Sequence, residues 1–140
     1  MTTIPNPIEA RYSLFRHPIL ETHFQLIGPD SGDTAVLVPG ATLPLAVWDP
    51  LVPLLAEHGY RVVRYDLPGR GYSSALGRGL GLPAYVEQID QLLNGIEIHQ
   101  PVHIVGLALG ALIAAAYTLE HPGRVKSVAL IAPDGMATRF

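Results

Sequence analysis

The stretch from Pro101 to Gly110, PVHIVGLALG, continuing as ALIAAAYTLEHP, constrains this chain more than any other part of it. Val102–Val105 is short and rich in β-branched residues, as a buried strand is. Leu109–Glu120 is rich in alanine and leucine, as a helix is. The two are separated by a turn of about four residues in which Gly106 and Gly110 stand symmetrically about Ala108. With no side chain at either glycine, strand and helix can approach closely, and the residue between them can take a strained turn that lifts its side chain off the sheet.

The same alternation runs through the rest of the chain. Thr34–Val38 (TAVLV) is apolar throughout and predicts a buried parallel strand, and Tyr60–Tyr65 and Ser127–Ala132 predict two more. Leu20–Ile27 mixes polar with apolar residues, as a half-exposed strand does, and the turn cluster Gly28–Asp33 follows it. Val47, Leu51, Leu54 and Leu55 recur at helical spacing, with Asp49-Pro50 as an early turn and Gly59 as the stop. Leu82–Ile96 carries an apolar stripe of Tyr85, Val86, Ile89, Leu92 and Leu93, with Glu87, Gln88, Asp90 and Gln91 expected to face away. The order β-β-α-β-α-β-α-β predicts an α/β fold: a mostly parallel sheet with helices on both faces.

Composition narrows the function classes. Of 140 residues, 49% are hydrophobic and 15% charged, against roughly 25% charged in an average domain, which excludes a disordered chain or a coiled coil. Fourteen glycines and 13 prolines are too many for a helical bundle. The net charge of −3 and the scatter of eight arginines and Lys126 leave nothing to track a phosphate backbone, so no nucleic-acid partner is expected. With no cysteine, disulfides and thiolate chemistry are excluded, and six histidines without HExxH or HxH spacing give no expectation of a metal or other cofactor. The apolar run from Ile98 to Leu119 is broken by Pro101, Gly106 and Gly110, so no membrane span is expected. The first residues lack a signal-peptide pattern, and the expected location is cytoplasmic. Neither Gly106-x-x-x-Gly110 nor Gly69-x-Gly71-x-x-Ser74 completes the GxGxxG of a dinucleotide site.

Three motifs in order resemble the α/β-hydrolase superfamily. Gly106-Leu107-Ala108-Leu109-Gly110 has the spacing of the family's G-x-S-x-G elbow, with alanine in the nucleophile position. Asp66-x-x-Gly69-x-Gly71-x-Ser73 resembles the loop after the second parallel strand. Glu120-His121-Pro122-x-Arg124-Val125 resembles the run from the elbow helix into the next strand. Where the family commonly has His-Gly after the first parallel strand, this chain has Pro39-Gly40.

The resemblance implies an oxyanion hole from the backbone N–H groups of Ala41 and Leu109, while Ala108 offers a methyl group where the attacking oxygen belongs. Downstream of Ala108 the acid–base candidates are Glu120, His121 and Asp134. His121 is expected to be a solvent-facing helix cap and Asp134 a turn residue. Ser73 and Ser74 lie on a loop expected to run near the site. Trp48, Leu43 and Leu45 give one apolar wall, or core.

The resemblance also implies that residues 1–140 are the N-terminal part of the domain, with lid, later strands, acid and histidine supplied elsewhere. The strand at 127–132 would then be an apolar edge, completed by a second chain or C-terminal fragment or by self-association. The chain alone is expected to be catalytically incompetent, with esterase or lactonase ancestry. The alternatives are a non-hydrolytic member holding a small apolar ligand or catalysing a non-covalent cyclisation or elimination, and a structural or assembly subunit.

Overall fold

The computed structural model describes residues 11–16, 21–73 and 81–134. Six strands form one sheet: β1 (Arg11–Arg16), β2 (Glu21–Ile27), β3 (Thr34–Val38), β4 (Arg61–Tyr65), β5 (Val102–Leu107) and β6 (Val125–Ile131), in the spatial order β1-β2-β4-β3-β5-β6. The β1–β2 and β2–β4 pairs are antiparallel, and β4, β3, β5 and β6 run parallel. β1 is an addition to the expected order. Leu20, the expected first residue of the strand that is β2 here, lies outside the described residues.

Helices cover both faces, as the strand–helix alternation requires. The side chains of the central strands alternate with the two-residue period of a pleated sheet. Val36, Val38, Val63, Tyr65, Val102 and Ile104 face a core built on α2 (Leu82–Gly95) and α3 (Leu109–Glu120). Leu37, Val62, Val105 and Leu107 face the other way, toward α1 (Val52–Glu57) and the 3-10 turn Leu45–Trp48. The helix expected from Val47 onward is thus split in two. Leu51 N–H donates to Trp48 O at 2.9 Å and Pro53 enters the first turn of α1, where a missing N–H costs nothing.

One departure on these elements has a clear cause. Gln88 was expected on the outer face of α2 but is buried, its amide donating to Thr22 Oγ1 and to the Asp66 carbonyl, each at 3.1 Å. Among the described residues β6 is the last strand of the sheet, and every residue from Lys126 to Ile131 is exposed, Leu130 by 46%. Its pairing with β5 slips by one residue between Val102↔Val125 and His103↔Ser127, so Lys126 bulges out of register. Among the described residues no helix is long and apolar enough to cross a membrane.

Candidate active site

β5 runs to Leu107, and α3 begins at Leu109. The turn between them is therefore a single residue. Ala108 has φ 55° and ψ −116°, a backbone state that side-chain-bearing residues rarely occupy and that costs roughly 1–3 kcal/mol. The surroundings hold it there. Ala108 N–H donates to Ile131 O at 3.0 Å, and its carbonyl accepts from Asp134 N–H at 3.2 Å and Ala111 N–H at 3.0 Å.

The two glycines of the motif are dictated by contact distance. A methyl on Gly106 would lie 2.2 Å from Gly110 O, and one on Gly110 would lie 2.2 Å from Val38 O and 2.5 Å from Pro39 O. The end of β5, the start of α3 and the end of β3 therefore meet backbone to backbone. A methyl on Gly40 would lie 3.5 Å from Ala108 Cβ, so the loop after β3 lies against the elbow. Leu109 opens α3, so its N–H has no acceptor within the helix and sits at the positive end of the helix dipole. The Ala41 carbonyl accepts from Arg70 Nε at 2.6 Å, tying the loop after β3 to the glycine-rich loop after β4.

That second loop is organised by Asp66, which is 1% exposed. Its Oδ2 lies 2.7 Å from His23 Nδ1 and accepts Tyr72 N–H at 3.2 Å, and its Oδ1 accepts Leu45 N–H at 2.8 Å. Ser73 Oγ donates to the Asp66 carbonyl at 2.7 Å and accepts His23 N–H at 2.9 Å. A methyl on Gly71 would fall 2.2 Å from Asp66 Oδ2, and Gly71 has φ 50°. The motif Asp66-x-x-Gly69-x-Gly71-x-Ser73 is thus a fastening between β2, β4 and the 3-10 turn, and its serine hydroxyl is engaged in that fastening. Ser74 lies outside the described residues.

Sequence reasoning passed over two buried polar groups, His23 and Arg64, and set a third, Gln88, on the outward face. Arg64 is buried, with Nε on Gln25 Oε1 and Nη1 on Leu45 O at 3.2 Å and Asp49 Oδ1 at 2.5 Å. Gln88 did leave a signal. It stands three residues after Tyr85 and four before Leu92, on the helical stripe itself.

The remaining candidates are placed as follows. Asp134 is an exposed turn residue whose N–H reaches the Ala108 carbonyl, while His121 caps α3, its N–H donating to Tyr117 O at 2.8 Å and its ring 4.9 Å from that of Tyr117. Trp48 and Leu45 are core residues, and Leu43 lies beside Gly40.

Comparison with known proteins agrees with this architecture. Residues 35–140 match the model of the alpha/beta hydrolase fold family. A putative carbamate hydrolase, RutD, from Variovorax paradoxus is 34% identical over 110 residues, 78% of this chain and 41% of that protein. A pimeloyl-[acyl-carrier protein] methyl ester esterase from Aeromonas hydrophila is 37% identical over 106 residues, 75% of this chain and 38% of the esterase. The structure of 2-hydroxy-6-oxo-6-phenylhexa-2,4-dienoate hydrolase from Rhodococcus sp. strain RHA1 superposes with a TM-score of 0.84 at 31% identity, covering 94% of this chain and 49% of that one. This chain thus spans less than half the length of each of these three proteins. With the parallel sheet, the one-residue turn at Ala108 and the two glycines that permit it, the match over 35–140 places the chain in the alpha/beta hydrolase fold family.

Proposed function

We propose that this chain is the elbow-bearing part of a carboxylic ester hydrolase fold in which the nucleophile has been replaced, so that an acyl carbonyl is held without being cleaved. The observation that supports this reading is the conformation of Ala108. The left-handed turn and its flanking glycines are retained at a position whose methyl group has no lone pair with which to attack a carbonyl. In this reading the N–H groups of Leu109 and Ala41 point at the carbonyl oxygen, with Arg70 fixing the Ala41 carbonyl behind them. Further polypeptide pairs with the open side of β6 and supplies the acid and histidine.

The test is a fusion of this chain to the part of the Aeromonas hydrophila esterase beyond the matched segment. With Ala108 it should bind p-nitrophenyl butyrate without turnover. With Ala108→Ser it should hydrolyse that ester, since removing a serine nucleophile from a complete triad costs on the order of 10⁶ in kcat. An Ala108→Ser fusion that folds and shows no ester hydrolysis would refute the proposal. A non-hydrolytic ligand holder is the second reading, favoured by the joint departure at Pro39 and Ala108 from the resembled motifs. It is supported if the Ala108 fusion shows saturable thermal stabilisation by lactones or apolar esters while the Ala108→Ser form stays inert.

A further inference from the structure

A second cluster of nucleophile, base and carboxylate lies at the other end of the parallel strands. Asp33 immediately precedes β3, His103 is the second residue of β5, and Ser127 is the third of β6, whereas Ala108 follows the last residue of β5. Ser127 Oγ is 2.5 Å from His103 Nδ1, and His103 Nε2 is 3.5 Å from Asp33 Oδ2. One tautomer satisfies both contacts. With its proton on Nε2, the imidazole turns a lone pair on Nδ1 toward the serine hydroxyl and an N–H toward the carboxylate.

Neighbouring groups contact this arrangement. The bulge at Lys126 places both Lys126 and Ser127 opposite His103, and Lys126 Nζ reaches Asp33 Oδ2 at 3.0 Å. The ammonium beside Asp33 and the neighbouring imidazole hold its carboxyl below the usual carboxylate range. The Tyr60 and His103 rings pack edge to face with their centroids 5.7 Å apart. Next to the cluster, and sharing Asp33 and Lys126 with it, is a cleft of about 460 Å³ whose walls include Ser31, Thr34, Arg61 and Gln100.

We propose that Ser127 is a nucleophile of this protein, activated by His103 and oriented through Asp33, which accepts an acyl or phosphonyl group from small activated esters. Ser127 Oγ forms the new bond to the carbonyl carbon or phosphorus, and its proton passes to His103 Nδ1. The leaving group departs with the bonding pair of the cleaved bond, and the imidazolium so formed is held by the Asp33 carboxylate. This rests on neither the elbow nor any completing polypeptide. Since residue 108 is alanine, no elbow serine competes for the reagent.

The probe is a small fluorophosphonate incubated with the 140-residue chain, with adducts located by peptide mass spectrometry and Ser31 as the reference hydroxyl. The expected product is a phosphonyl adduct on Ser127, with loss of fluoride, formed faster than on Ser31. Ser127→Ala should abolish it. His103→Ala should slow it about 100-fold, the lower end of what a positioned base contributes. His103→Gln, which keeps a polar contact to the hydroxyl but cannot take the proton, should match His103→Ala and guards against a folding defect in the latter. A Ser127 adduct that forms no faster than that on Ser31, or equally fast with either His103 variant, would overturn the proposal and leave the contact as a cross-strand hydrogen bond only.

Discussion

Gly110→Ala is the sharpest probe of the elbow, because the added methyl has nowhere to go. Its carbon would lie 2.2 Å from Val38 O, 2.5 Å from Pro39 O and 2.8 Å from Val38 C, all backbone atoms at the end of a fully buried strand. Relieving three such contacts to ordinary separations of about 3.5 Å requires α3 to retreat from β3 by on the order of 1 Å, since no rotamer change can help. Overpacking of this kind typically costs 1–3 kcal/mol, and rigid backbone on both sides puts this case at about 3. With a urea m-value of about 2 kcal/mol/M, the unfolding midpoint should fall by about 1.5 M. The reference is Gly123→Ala, where the added methyl meets nothing within 4 Å. Urea titrations of parent and both variants, followed by circular dichroism, make the comparison. If Gly110→Ala lies within about 0.5 kcal/mol of Gly123→Ala, the close approach of β3, β5 and α3 is wrong, and the geometry of Ala108 falls with it.

Other outcomes follow from the same contacts. Asp66→Ala removes the carboxylate that His23, Leu45 and Tyr72 share, and breaking such a buried set should cost about 3–5 kcal/mol in the same titration. Ala108→Gly relieves a positive φ at the expense of a more flexible unfolded chain, and should raise the melting temperature by a net gain of about 1 kcal/mol. Asp33 has its folded pKa lowered by Lys126 and then His103, so its contribution to stability is present above the ordinary carboxylate range and is lost as the pH falls through the lowered value. The difference in urea midpoint between parent and Asp33→Asn should therefore be present at neutral pH and close on acidification. Val128→Lys with Leu130→Lys places charge on the open edge of β6 and should reduce self-association of the chain measured by light scattering, whereas a parent already monomeric at high concentration would contradict that reading of the edge.

Much of the fold was legible because parallel strands buried on both faces write themselves as short apolar runs. Thr34–Val38 matches the expected span, and the elbow was readable from Gly106 and Gly110 because only a residue without Cβ fits either position. β1 was not read as a strand in RYSLFR, since an antiparallel edge strand needs neither a continuous apolar run nor a helix after it. The fastening around Asp66 was visible as a motif but not as chemistry. Its partners His23, Leu45 and Gln88 come from a strand, a turn and a helix separated from it by 43, 21 and 22 residues, and that convergence exists only once the sheet is assembled. The cross-strand cluster of Asp33, His103 and Ser127 was hidden for the same reason, and further because a one-residue bulge, which leaves no mark in the sequence, sets which side chains meet.

The most direct measurement is the first-turnover burst of p-nitrophenolate from the Ala108→Ser form of the fused protein, with the acylated residue located by mass spectrometry. An elbow intact in all but its oxygen predicts a burst exceeding that of the Ala108 form by close to one equivalent per chain, with that additional butyryl group on residue 108. A folded Ala108→Ser protein with no burst beyond that of the Ala108 form, or with residue 108 unacylated, would contradict it.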